Sequence, residues 1–118
     1  MNGIPATVDL NPLIGKIVLQ ICFGVLQLMV KLDDSIEIGI ECECSYIDNL
    51  GVSTLILDYS AHASLICNLL GLRISSVKRT QDGGLMLRFE TGVQLNLANS
   101  NREYESFQIH LPSGIYVA

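Results

Sequence analysis

The chain has 118 residues, of which 49% are apolar and 16% charged, and a formal net charge of −5. That is the size of one domain, spanning 1–118, able to bury a core without disulfides or metal, and its composition is the reverse of a disordered chain's. The acidity is uneven: residues 1–60 carry eight acids against Lys16 and Lys31, and residues 61–118 carry four acids against five bases, a field that disfavours nucleic-acid phosphates and favours a basic partner.

The N-terminus, MNGIPATVDL, lacks the basic segment of a signal peptide. The apolar region from Leu13 to Leu32 is interrupted by Lys16, Gln20, Gln27 and Lys31. Its uncharged pieces are shorter than the roughly 20 residues of a membrane span. No membrane segment is expected, and a cytoplasmic location is.

Alone, that region could pass for a buried helix. A second copy makes it strands. Leu13-Ile-Gly15 matches Leu69-Leu-Gly71, Val18 matches Ile74 and Ile21 matches Val77. After a one-residue shift, the run Leu28–Ile40 matches Leu85–Leu97, apolar on apolar, and Lys31/Arg88, Asp33/Glu90 and Glu37/Gln94 stay polar. Gln81-Asp-Gly-Gly84 is a hairpin signal and Glu90-Thr-Gly92 another turn.

The spacing predicts strands over 16–23, 26–32 and 36–44, then 72–80, 84–90 and 93–98, with a final pair over 105–110 and 114–117 joined by the turn at Pro112-Ser-Gly114. Between the copies, which span 13–46 and 69–104, Asp48–Gly51 reads as a loop, Thr54–Leu57 as a short strand and Ser60–Leu70 as a short helix. Ser60 is placed to cap that helix and Gly71 to end it. The fold expected is mainly β: two repeated three-stranded antiparallel meanders plus a C-terminal hairpin. They form a small sandwich or a partly open barrel with pseudo-twofold symmetry.

Within SIEIGIECECSY (35–46), Ile36, Ile38, Ile40, Cys42 and Cys44 alternate with Glu37, Gly39, Glu41 and Glu43. The isoleucines take the core face, so the glutamates form an outward row about 20 Å long, extended by Asp33 and Asp34 at the preceding turn. Neighbouring charges about 7 Å apart repel by only about half a kcal/mol in water, so the row needs no metal. The second copy has Gln94 and Asn96 where the first has Glu37 and Gly39. Acidity is thus not required by the fold. Asp33, Asp34, Glu37, Glu41 and Glu43 are the candidate partner-binding residues, a merely solvated face being the other reading.

Cys42 and Cys44 share the inward face, and Cys-x-Cys alone is a weak metal signal without a second spaced pair or nearby histidines. Reduced thiols acting as small hydrophobes are expected, with a metal site or a disulfide as alternatives. No metal or cofactor is expected. The sequence has no Gly-x-Ser-x-Gly, His-Glu-x-x-His or phosphate-binding loop, and His62 among Ser60, Ser64 and Cys67 is explained by helix spacing. No catalytic residue is assigned. The basic residues Arg73, Lys78, Arg79 and Arg88 lack interleaved aromatics and fit a solvated strand face or a counterpart to the acids better than a nucleic-acid site.

Leu69-Leu-Gly71, Asp82-Gly83, Leu85-x-Leu87-x-Phe89, Gly92, Leu95 and Tyr104-Glu-Ser-Phe107 resemble the pattern of an uncharacterised family of small bacterial β-proteins. Phe107 stands where that family has Trp, and the first copy lacks the Asp-Gly turn. The resemblance implies a candidate immunity protein of a polymorphic or contact-dependent toxin system, whose partner is a cognate toxin domain, and an aromatic that plugs one end of the barrel. The expected function is toxin neutralisation by occlusion rather than catalysis. The alternative is a small-molecule-binding or structural β-domain, as a homodimer in one version.

Overall fold

The computed structural model describes residues 3–99 and 106–118. Ten strands lie among them: β1 (Val18–Phe23), β2 (Leu28–Leu32), β3 (Glu37–Ile40), β4 (Cys44–Ile47), β5 (Ser53–Ile56), β6 (Ile74–Arg79), β7 (Leu85–Phe89), β8 (Gln94–Leu97), β9 (Phe107–Leu111) and β10 (Gly114–Val117). Turn chemistry separates them. At Thr80–Gly84 the Asp82 carboxylate accepts from the Thr80 hydroxyl and, at 3.0 Å, from the Gly84 amide. These bonds, the Thr80 hydroxyl first, hold its carboxyl below the usual range. A Cβ on Gly84 would strike the Leu97 carbonyl oxygen, so the turn accepts only glycine there.

All neighbouring strands run antiparallel, in two five-stranded sheets ordered β1-β2-β3-β9-β10 and β5-β4-β8-β7-β6. Each expected meander is present, and each is extended by a hairpin from the other half of the chain. The C-terminal pair β9-β10 completes the sheet of the first copy, and β4-β5 completes the sheet of the second. Period-two alternation turns Val30, Ile38 and Ile109 inward on one sheet and Leu87, Leu95 and Tyr46 on the other, all buried in one shared core. Burying one such side chain contributes roughly 1.5–3 kcal/mol.

The pseudo-twofold symmetry extends to single hydrogen bonds. Gly15 N–H donates to the Ile74 carbonyl and Gly71 N–H to the Val18 carbonyl, each at 2.8 Å. Ile74 donates to Lys16 and Val18 to Leu72, each at 2.9 Å. A bridge between Ile17 and Arg73 thereby joins the sheets along one side. β5 and β10, at the other ends, are not paired with each other, so the result is an open sandwich and not a closed barrel. Both copies also carry the same bulge, between Val18 and Gln20 and between Ile74 and Ser76. The one-residue shift between copies arises in the β6–β7 turn, 80–84, which is one residue longer than its counterpart, 24–27.

Three expectations change. The strand predicted over 36–44 divides at residues 41–43: β3 belongs to one sheet and β4 to the other. Its alternation continues because a chain crossing between facing sheets keeps one side toward the shared core. The helix predicted over 60–70 is a succession of short turns, 3₁₀ at Ser60–His62, α at Ala63–Ile66 and 3₁₀ at Cys67–Leu69. Ser60 makes no capping bond; its amide and hydroxyl both go to Asp58, at 3.1 and 2.9 Å. Gly71 does follow the last turn, at φ +82°. The last strand pair begins at Phe107, which is 1% exposed and lies in the core opposite Ile40. Tyr104 and Glu105 of the sequence pattern lie outside the described residues.

Candidate functional site

Between β3 and β4 the chain passes from sheet to sheet through Glu41-Cys42-Glu43, and each of the three residues is held by its backbone. Glu41 N–H donates to the Ser106 carbonyl at 2.9 Å, and Ala98 N–H donates to the Glu43 carbonyl at 3.3 Å. The buried Tyr59 hydroxyl donates to the Cys42 carbonyl at 2.6 Å. Cys42 turns inward, while Glu41 is exposed and Glu43 half-buried. Burial pushes the Cys42 thiol up to about 11 and the Cys44 thiol up to about 12. Both stay protonated at neutral pH, which makes them poor nucleophiles and poor metal ligands.

An open cleft of about 640 Å³ lies over this crossing. Its walls are Gly24–Gln27 from the β1–β2 turn, Glu41–Glu43, Leu57 and Tyr59 after β5, and Ser106 before β9. Gly24 N–H donates to the Gln27 carbonyl at 2.7 Å, which closes the turn and puts Val25 and Leu26 at its tip. Val25 is 95% exposed, Leu26 81% and Leu57 70%. Three large apolar side chains thus stand exposed around one recess. Among the described residues neither Glu41 nor Glu43 has an ion-pair partner. The cleft thus offers two carboxylates, unpaired among the described residues, beside apolar area, on a backbone held by hydrogen bonds.

The other three predicted acids are placed differently. Asp33 and Asp34 stand at the opposite end of β3, where Asp33 accepts from the Ile17 amide at 3.1 Å and Asp34 pairs with Lys16. That ion pair raises the Lys16 ammonium above its ordinary range. Glu37 lies on the outer face of its sheet between Lys31 at 3.9 Å and His110 at 4.0 Å. These carboxylates are engaged within the molecule, and the single row expected from the sequence is two separate groups.

The basic residues serve the fold as well. Arg79 donates to the carbonyls of Pro5 and Val8 at 3.1 and 2.7 Å, tying the N-terminal segment to β6. Arg73 donates to the Gly15 carbonyl at 2.8 Å and pairs with Glu90 at 3.3 Å. Met29, Met86 and Phe107, large apolar residues of the sort that would line a ligand pocket, line neither this cleft nor the smaller hollow beside it. All four cysteines are free, with Cys67 exposed and Cys22 half-buried. Among the described residues no three His, Cys, Asp or Glu side chains gather as a metal-ligand set, and no helix is long and apolar enough to cross a membrane.

Sequence reasoning missed Val25, Leu26, Leu57 and Tyr59. A signal existed in Phe23-Gly-Val-Leu26: an apolar pair directly after a glycine, where a hairpin tip is ordinarily polar.

Fold and cleft together define a two-sheet β-protein of internally repeated design with an acidic recess at the crossing between its sheets. The chain belongs to the Family of unknown function (DUF6188), whose model matches residues 10–118. No curated protein and no solved structure matches it.

Proposed function

We propose that the protein is a binding protein of the immunity type, which docks a basic cognate toxin domain at the cleft and neutralises it by covering its active or essential surface. The observation that carries this reading is the pairing of Glu41 and Glu43, which have no ion-pair partner among the described residues, with exposed Val25, Leu26 and Leu57. Apolar area supplies contact energy, and carboxylates raise the rate of encounter with a positive partner and exclude wrong ones. A fixed backbone lowers the ordering cost of binding. The resemblance to candidate immunity proteins supplies the toxin and a bacterial source, and a cytoplasmic setting is part of the proposal. On this reading the protein has no catalytic activity of its own.

The cleft volume also falls within the range of small-molecule sites, roughly 300–1,000 Å³. Its most apolar residues stand outward on the rim, which favours a macromolecular partner over an enclosed ligand. Co-expression with the toxin domain encoded immediately upstream tests the proposal. Growth should be rescued by the wild type and not by a variant carrying Glu41→Gln and Glu43→Gln. No rescue by the wild type sinks it.

A further inference from the structure

The acidic recess continues past Glu43. A second hollow of about 210 Å³ lies on the other side of that residue, bounded by Ser45, Leu55, Thr80, Asp82 and Asn96. Glu43 lines both spaces and is the wall between them. The second hollow repeats the character of the first. Leu55, on the edge strand β5, is 55% exposed. Asp82 commits Oδ1 to its own turn, and its Oδ2 has no hydrogen bond among the described residues. The Asn96 side-chain oxygen is buried with no donor among the described residues, and an unmade bond of this kind costs roughly 1–3 kcal/mol. On both sides of Glu43, therefore, carboxylates with no ion-pair partner among the described residues stand next to exposed leucine.

We infer that the two hollows are one groove for an extended basic segment of a partner protein, which places a cationic side chain on each side of Glu43 and sets apolar residues against Leu57 and Leu55. This deepens the reading above and rests on its claim of a basic protein partner. Charge complementarity selects the occupant: Glu41, Glu43 and Asp82 face the groove, and lysine and arginine bring donors together with apolar stems that lie along leucine. A small inorganic cation would leave the apolar rims uncovered. A second copy of this chain would bring a net charge of −5 toward an acidic surface.

The probe is a capped hexapeptide of alternating arginine and leucine, titrated into the isotope-labelled protein and followed through backbone amide shifts. Shifts should appear on both sides of the wall, at Leu26 and Leu57 and at Leu55 and Asn96. Glu43→Gln should weaken binding about tenfold, the loss expected when a charged hydrogen-bond acceptor is removed. Glu37→Gln removes the same charge from the outer sheet face and should change binding less than about twofold. Leu55→Ala and Leu57→Ala alter exposed positions, so the fold survives them, and each should weaken binding severalfold. Equal losses from Glu37→Gln and Glu43→Gln would reduce the effect to net charge and overturn the groove, as would shifts confined to one hollow. Growth rescue that survives Glu43→Gln refutes the groove and leaves the immunity reading standing. Peptide binding through Glu43 without any rescue does the reverse.

Discussion

The Tyr59 hydroxyl donates a 2.6 Å hydrogen bond to the Cys42 carbonyl oxygen, in a buried setting and across 17 residues of chain. It ties the segment after β5 to the point where the chain changes sheets. Replacing Tyr59 with phenylalanine keeps the ring and leaves that carbonyl without its donor. The expected cost is roughly 1–3 kcal/mol, or a melting point lower by about 4 °C per kcal/mol. Calorimetry measures it. Because the same bond fixes the floor of the cleft, partner dissociation should also quicken while association is unchanged.

Alkaline pH should unfold the protein earlier than carboxylate chemistry alone would suggest. Unfolded thiols ionise near 9.0, whereas burial holds Cys42 to about 11 and Cys44 to about 12. Above pH 9 the unfolded chain releases protons that the native state retains, so stability falls as pH rises. The slope approaches about 1.4 kcal/mol per pH unit for each thiol and levels off once pH passes the folded values. Burial also raises the Tyr59 phenol above its ordinary 10.0, which adds a loss beyond that pH. Urea midpoints taken from pH 8 to pH 11 should decline less steeply for a Cys42→Ala/Cys44→Ala variant. Equal slopes would contradict this account.

Charge substitutions should separate the two groups of acids. Glu41→Gln with Glu43→Gln should leave the melting point unchanged, since neither carboxylate has an ion-pair partner among the described residues, and should slow association with a basic partner about tenfold at low salt. The difference should shrink at high salt, where the Debye length is only about 3 Å at 1 M. Asp33→Ala should do the opposite. It removes the acceptor of the Ile17 amide, lowering stability by about 1 kcal/mol with little effect on association. Stopped-flow rates across a salt series, paired with thermal melts, distinguish the two.

Core and turn have their own single-residue tests. Ile38 is 0% exposed, between Val30 and Ile109. Ile38→Asp would bury an unpaired charge and should abolish the cooperative melt. Gly84→Ala must displace either the Leu97 carbonyl or the β6–β7 turn and should cost about 1–3 kcal/mol. A wild-type melting point for Gly84→Ala would mean that the turn has room to move.

The repeat was legible because both halves keep the same register: Val18 and Ile74 precede matching bulges, and Leu28–Ile40 lines up with Leu85–Leu97. The division of the third strand was not. Ile40, Cys42 and Cys44 all face the core, so the period of two runs unbroken through the crossing. Nor could local pattern reveal that β9 pairs with β3 and β4 with β8, since these contacts join distant parts of the chain. The acids of the cleft were visible as an alternating row. Its apolar half was hidden because the sequence pattern puts Leu26 at the start of a strand, whereas β2 begins at Leu28 and Leu26 stands in the turn before it.

The exchange of hairpins sets an order of events during synthesis. The sheet that holds β1, β2 and β3 is completed by Phe107–Val117, and until that hairpin emerges β3 lacks the neighbour that pairs Ile38 with Ile109. An unfinished chain therefore displays an unpaired edge while residues 41–106 are being made, the kind of edge that other strands add to. Pairings between such distant residues also slow folding once the chain is free. Yield in the cell should accordingly depend on translation rate and on chaperones that shield strand edges, more than on the stability of the finished sandwich.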